Sequence, residues 1–349
     1  MQVESSAISK NCPNKNGLIC VNILLSPLHL NFMINKSFLI LIIAFFSTSL
    51  LAENKGPAVA DYPADKMAEN IYVIHGPVTT PNPENQGFMN NPGIILTSKG
   101  TVIIDPGGTV QSGEMVLKVI KSITDKPVVA VFNTHVHGDH WLGNQAIRAA
   151  YPEVPIYAHA QTIQRIADGA GDDWVKLMMD TTKGKSAGTK IVAANKIIKN
   201  GDQITVGDTS FDIIHYGIAH TDTDIMIAVN QNAALFMGDN LLNGRLPRTS
   251  DGHIKKTIEA CEQAVKINPT VIVPGHGKSG GMQMYNHSLD ILRILYKTVK
   301  QQYEQEISDF EMKPVVVKAL DKYKKWETFD SLIGKVINQA FLEIEEADF

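Results

Sequence analysis

The stretch Thr134-His135-Val136-His137-Gly138-Asp139-His140-Trp141 places four potential metal ligands within six residues, directly after the apolar run Pro127 to Phe132. That run reads as a buried strand. The ligands therefore begin where a strand ends, and Gly138 among them lets the backbone turn sharply. Imidazole and carboxylate at this spacing suit a borderline cation such as zinc, iron or manganese. In a chain with 11 histidines, such density marks a metal site rather than a polar surface loop.

Three downstream segments repeat the pattern of strand, small or turn residue, then ligand. Ile213-Ile214-His215-Tyr216-Gly217-Ile218-Ala219 leads into His220-Thr221-Asp222-Thr223-Asp224. Ala233-Ala234-Leu235-Phe236-Met237 leads into Gly238-Asp239-Asn240, and Val271-Ile272-Val273 into Pro274-Gly275-His276-Gly277. Strand ends along one sheet edge are where a scaffold brings side chains from distant parts of a chain together.

With these residues the sequence resembles the metallo-β-lactamase-fold hydrolases. The pattern HxHxDH at His135, His137, Asp139 and His140, followed by His220, Asp239 and His276, fills all seven ligand positions of the dinuclear members in their order. The resemblance runs from about Asn70 to about Gly277. It implies an α/β fold, a four-layer αββα sandwich with its metals at one edge. It implies that His135, His137 and His220 hold one metal, that Asp139, His140 and His276 hold a second, and that Asp239 bridges them, with a hydroxide between the metals as nucleophile. The implied cofactors are two divalent ions, zinc first, with iron or manganese also accommodated.

The chemistry explains why such residues are needed. Two dications lower the pKa of a shared water and polarise a carbonyl. Neutral imidazoles leave the metal charge intact, while Asp139 and Asp239 cancel part of it. The net cationic bias favours an anionic or carbonyl-rich small-molecule substrate. Many metallo-β-lactamases carry Cys or Ser where this chain has Asp239. A bridging Asp looks like glyoxalase II and lactonases. The segments Ala219 to Asp224, Gly244-Arg245-Leu246-Pro247 and Pro274 to Gly277 are most similar to exported metallohydrolases found beside sulfur-oxidation and quinoprotein dehydrogenase systems. The expected reaction is hydrolysis of an ester, thioester, lactone or β-lactam. An iron oxidoreductase of the same fold, similar to persulfide dioxygenases, and a non-catalytic metal-binding protein are the alternatives.

The N-terminus predicts export. From Met33 a short basic segment, an uncharged run Ser37 to Leu51 and a plausible cut after Ala52 follow the signal-peptide order. The apolar run is short for a membrane span, so no stable span is expected after cleavage, and the protein would be periplasmic in a Gram-negative source. The residues before Met33 do not fit an export signal and read as an over-extended translation start. Loss of residues 1–52 removes Lys10, Lys15, Lys36 and Glu4 and leaves 29 basic against 35 acidic residues, a formal charge of −6. Nothing there suggests a nucleic-acid surface. Cys12 and Cys20 precede the cut, leaving Cys261 without an intrachain partner, on a helical stripe with Ile254, Ile258 and Val265. The oligomeric state is not legible.

The rest reads as a domain over 53–285 with C-terminal helices over 286–349 packed on it. Ile71 to Ile74 is an opening strand, Gly93 to Leu96 and Thr101 to Ile104 form a hairpin, Val110 to Ile123 is a helix, and Pro155 to Ala158 is a short strand. Residues 160–195 read as helical stretches broken by Gly184 and Gly188, a flap or insertion over the site. Leu289, Leu292, Tyr296, Val299 and Tyr303 sit at helical spacing, as do Phe329, Leu332, Ile333, Val336, Ile337, Ala340 and Phe341 behind Thr328 as N-cap.

Further residues carry two readings each. Asp105, before Pro106-Gly107-Gly108, fits a carboxylate that orients a ligand imidazole or a turn-forming Asp. Asn240, Asn243 and Arg245 follow Asp239, so they fit a pocket lining that binds a substrate carboxylate; Arg245 equally fits pairing with a structural acid. His159 is a surface histidine or approaches the site. His215 and Trp141 are read as core.

Overall fold

Strands whose two faces are both apolar need a covering layer on each side. The computed structural model describes residues 55–348, and its strands meet that need as two facing sheets. The first contains β1 (Ala64–Ala68), β2 (Ile71–Ile74), β3 (Gly93–Leu96), β4 (Thr101–Ile104), β5 (Val128–Phe132), β6 (Ile156–His159) and β7 (Lys196–Ile198), in that spatial order. β1 to β4 pair antiparallel, and β4 to β7 run parallel. The second contains β8 (Gln203–Val206), β9 (Thr209–Ile214), β10 (Met226–Val229), β11 (Ala234–Phe236) and β12 (Val271–Val273). Its β11 and β12 are parallel and the others antiparallel.

The helices are α1 (Val110–Ile123), α2 (Gly138–Trp141), α3 (Asn144–Ala150), α4 (Ala160–Arg165), α5 (Gly171–Thr181), α6 (Ile254–Ala264), α7 (Met282–Tyr303), α8 (Asp309–Ala319) and α9 (Phe329–Asp348). Side-chain alternation assigns the layers. Val102, Ile104 and Phe132 meet Ile227, Phe236 and Val273 in the core between the sheets. Ile103 and Val131 point the other way, onto Met115, Val116 and Ile120 of α1. Ala228, Leu235 and Ile272 turn outward onto Ala260 and Cys261 of α6 and Leu289 of α7. Helix, sheet, sheet and helix follow in turn, the αββα sandwich expected. Leu295, Val299, Val316, Ile333, Val336 and Ile337 from α7, α8 and α9 add a C-terminal helical core. α7 starts at Met282, so the boundary expected at 285/286 falls inside a helix.

Several elements have local causes. α1 starts at Val110 because Thr109 Oγ1 accepts from Ser112 N–H and Ser112 Oγ accepts from Thr109 N–H, a reciprocal capping box. β1, β7, β8 and β10 escaped the sequence reading. β7 and β8 are short and largely exposed, and β10 is buried on both faces without alternation. Over 160–195 the helical path breaks first at Gly169, whose φ of 121° interrupts the π-helical turn Ile166–Ala170, and α5 then ends at Thr181, before Gly184 and Gly188. Thr328 does not act as a side-chain cap for α9. Its φ is +63°, and its hydroxyl donates to Leu246 O at 2.8 Å. The export segment 33–52, Cys12 and Cys20 lie outside the described residues. Among the described residues, no helix is long and apolar enough to cross a membrane.

Phe132 is fully buried and stacks on Tyr157 at 5.1 Å and Phe211 at 5.2 Å between ring centroids. Phe132→Ala leaves a cavity between the sheets, so equilibrium denaturation should show a loss of about 3–5 kcal/mol.

Candidate metal centre

Two pairs of parallel strands, one in each sheet, aim the site. β4 delivers Asp105, β5 delivers the His135 to His140 segment, β11 delivers Asp239, and β12 delivers His276; β9 leads through a longer loop to His220. Because β4 runs beside β5, and β11 beside β12, their C-terminal ends open on one edge of the sandwich. There the seven side chains converge. Ligand atoms of His135, His137, His220 and Asp239 lie within 4.8 Å of one another, as do those of Asp139, His140 and His276. Asp239 reaches toward both groups: Oδ1 is 3.1 Å from His140 Nε2, while Oδ2 is 3.3 Å from His276 Nε2 and 3.7 Å from His220 Nε2. All seven are buried.

The back of each imidazole except His220 is fixed by a partner, which decides the atom that faces inward. Asp105 does most of this. Its carboxylate accepts from Thr134 N–H at 2.8 Å, from the Thr134 hydroxyl at 2.7 Å and from His140 Nδ1–H at 2.8 Å. Since the Thr134 proton goes to Asp105, its oxygen is left to accept from His135 Nδ1 at 3.0 Å. One carboxylate thus orients two imidazoles, and both present Nε2. The backbone at Asp105 has a φ of +54°. His276 Nδ1 donates to Met89 O at 2.8 Å. His137 is turned the other way, with Nε2 on Asp251 Oδ2 at 3.0 Å and Nδ1 inward, 3.1 Å from His220 Nε2.

The inward atoms fit a cation. His135 Nε2, His140 Nε2 and Asp239 Oδ1 are buried and make no hydrogen bond. His140 Nε2 and Asp239 Oδ1 sit 3.1 Å apart yet are not aligned as donor and acceptor. Lone pairs arranged in this way converge on a third atom, and leaving them without one is costly. The electrostatics agree. Burial holds the His135 imidazole well below its usual range and brings His220 down to about 3, which favours neutral ligands. Burial also opposes charge on His140 and Asp239. There the nearby opposite charges prevail, raising His140 and depressing Asp239.

Asp251 and Trp174 escaped the sequence reading. Asp251 accepts from His137 and from Arg248, and the His137 contact holds its carboxyl below the usual range. Trp174 packs its ring 5.1 Å from His137. No local pattern marks Asp251, whose contact with His137 spans 114 residues. Other expected residues fall elsewhere. Asn240 is turned onto backbone, donating to Met237 O and accepting from His220 N–H, and is not among the residues lining the pocket over the ligands. Asn243 donates to Lys278 O, away from that pocket. His159 stacks on His215 at 4.4 Å between ring centroids, away from the ligands. Trp141 and Cys261 are buried, as read.

A pocket of about 310 Å³ opens over the ligands. Asp139, His220, Asp239 and His276 form its floor, and Trp174, Leu177, Leu242 and Leu332 contribute apolar wall. Over residues 86–276 the sequence matches the family described as the metallo-beta-lactamase superfamily. The chain belongs to that superfamily. Among relatives, a hydroxyacylglutathione hydrolase of Thermosynechococcus vestitus is 26% identical over 134 residues, 38% of this chain and 43% of that protein. A metallo-beta-lactamase type 2 of Bacillus sp. (strain 170) is 25% identical over 207 residues, 58% of this chain and 72% of that protein. A metallo-beta-lactamase from Pontibacter korlensis superposes with a TM-score of 0.53 at 21% identity, covering 67% of this chain and 99% of that one. The chain thus spans less than half the length of the hydroxyacylglutathione hydrolase it matches. Superfamily members bind divalent metals, and the described ligand groups suit them.

A Cβ at Gly275 would lie 1.9 Å from Asp239 Oδ1. Gly275→Ala should therefore displace that carboxylate and lower the bound metal per chain, measured by elemental analysis, while circular dichroism still reports a folded protein.

Proposed function

We propose that this superfamily member is an exported two-metal hydrolase that opens a carbonyl-centred bond in a small molecule: an ester, thioester, lactone or β-lactam. The convergence of seven buried ligands, three inward atoms among them without partners, carries this reading. His135, His137 and His220 would hold one cation, and Asp139, His140 and His276 the other, with Asp239 reaching both. When bound, such cations acidify a water and polarise a carbonyl oxygen. Zinc suits the three-histidine set, and the oxygen ligands also accept iron or manganese.

The chain's own residues supply the rest. Asp139 and Asp239 face the pocket, where a carboxylate oxygen can take a proton from the attacking water and return it to the leaving oxygen, sulfur or nitrogen. Water adds across the acyl bond, giving an acid and an alcohol, thiol or amine. Trp174, Leu177, Leu242 and Leu332 shed solvent from that step. The Asp at 239, in place of Cys or Ser, supports an ester, thioester or lactone over a β-lactam. Export rests on the composition of Met33 to Ala52 alone.

Metal-replete protein should carry close to two ions per chain, and Asp239→Ala should lose the second while keeping the three-histidine site. A reproducible value of one in fully loaded wild type would sink the two-metal reading. On one preparation, some ester, thioester or lactone should exceed nitrocefin-like β-lactams in kcat/KM. A β-lactam best by a wide margin would overturn the preference, and oxygen uptake without hydrolysis would favour the iron oxidoreductase. N-terminal sequencing of protein from its native host should begin near Glu53; an intact N-terminus in the cytoplasm would refute export.

A further inference from the structure

Outside the metal centre, a carboxylate, an imidazole and a hydroxyl are hydrogen-bonded in series. His75 Nδ1 lies 2.8 Å from Asp65 Oδ2, and its Nε2 lies 2.8 Å from Ser279 Oγ. The proton positions follow from a further contact. Ser279 N–H donates to His75 Nε2 at 3.2 Å, and a backbone N–H can only donate. Nε2 therefore carries the lone pair and Nδ1 the proton. Nδ1–H then donates to Asp65, and the Ser279 hydroxyl donates to Nε2. This is the order in which a base draws on a serine while a carboxylate orients the base. Burial outweighs the opposing effect of Asp65 and holds the His75 imidazole below its usual range, which keeps it a neutral proton acceptor at neutral pH.

The fold holds each part in place. Asp65 lies on β1 opposite Val73 of β2, and His75 directly follows β2. Gly76 N–H donates to Asn90 O at 3.1 Å, which pins the chain just past His75. Ser279 lies between β12 and α7, 204 residues from His75 in sequence. There Ile272 N–H donates to Gly280 O at 2.7 Å and Gly280 N–H to Ile272 O at 3.1 Å, while Asn243 Nδ2–H donates to Lys278 O at 2.9 Å. Both neighbours of Ser279 are thus tied down. Asp65, His75 and Lys278 line a cavity of about 380 Å³ with Pro63, Val78 and Asn243, and Ser279, the residue after Lys278, is partly exposed. That lining shares no residue with the pocket over the metal ligands. Lys278 supplies the cavity with a cation, which opposes the negative charge developing on an attacked carbonyl.

We propose that Ser279 is a second nucleophile of this protein, with His75 as its base and Asp65 as the residue that positions His75, and that it takes small carboxylic esters independently of the metal centre. Ser279 Oγ forms a bond to the acyl carbon as its proton passes to His75 Nε2. The bond from that carbon to the leaving oxygen breaks, and Nε2 returns the proton to the departing alcohol. Water then adds to the acyl-serine with His75 again as base, releasing the acid and restoring the Ser279 hydroxyl. Ester and water enter, and acid and alcohol leave, so the balance needs no further reactant.

Phenylmethanesulfonyl fluoride reads the nucleophile directly: Ser279 Oγ bonds to sulfur, fluoride leaves, and the hydroxyl proton passes through His75 to solvent. The full chain, loaded with zinc and checked for metal content and folding, is treated with the reagent, and labelled positions are located by peptide mass spectrometry. Ser279 should carry the sulfonyl group and react about 100-fold faster than the other serines, and His75→Gln should slow that labelling about 100-fold. Asp65→Asn should slow it about 10-fold, and Asp65→Glu should restore it, which a merely structural role would not require. The Asp65 side chain is 56% exposed, so these variants serve if His75→Gln does not fold. 4-Nitrophenyl acetate should slow the labelling by competing for the same hydroxyl. These outcomes do not depend on the hydrolase reading of the metal centre. Folded wild type left unlabelled at Ser279, or labelled there no faster than at its other serines, overturns the proposal. So does an unchanged rate in folded His75→Gln or Asp65→Asn, and labelling that the ester does not slow overturns the substrate class.

Discussion

Five imidazoles and two carboxylates are buried together at one edge of the sandwich, and much of the surrounding structure answers to that convergence. Inward lone pairs left unmet are costly in an interior with little water. Four of the five rings are gripped from behind. Asp105 secures His135 through Thr134 and His140 directly. Met89 O secures His276, and Asp251 secures His137. The protein itself thus fixes which atom of these rings faces inward.

The sandwich exists in the form that this edge requires. Parallel pairs β4–β5 and β11–β12 place consecutive strand ends side by side, so loops far apart in sequence open onto the same space. The outer helices and the core between the sheets make those ends rigid. Backbone space is also limiting: Gly275 passes so close to Asp239 that a methyl group would occupy the carboxylate's position. The C-terminal helices extend this logic. They bury an apolar core of their own and bring Thr328, Ser331 and Leu332 to the pocket as part of its wall.

The sequence alone picked out the seven candidate ligand side chains that the structure brings together, and the order in which strand ends present them. Ligand type is chemical and local, and the apolar run before each ligand marks a strand end without reference to the rest of the chain. The layer class, α1, the β3–β4 hairpin and the apolar faces of α7 and α9 were legible for the same reason, since period and capping are short-range signals. Asp105 could be suspected from its place after β4. Only the tertiary structure decided that it serves two histidines, that Asp251 backs His137, that Asn240 turns onto backbone, and that Arg245 Nε and Nη1 meet no hydrogen-bond partner among the described residues. The Asp105 and Asp251 contacts join residues 29 and 114 positions apart, and they leave no repeat or spacing in the sequence. Thr328 shows the limit most clearly: its residue type suits a helix cap, but its hydroxyl is drawn to Leu246 by packing that becomes possible only once the C-terminal helices have docked.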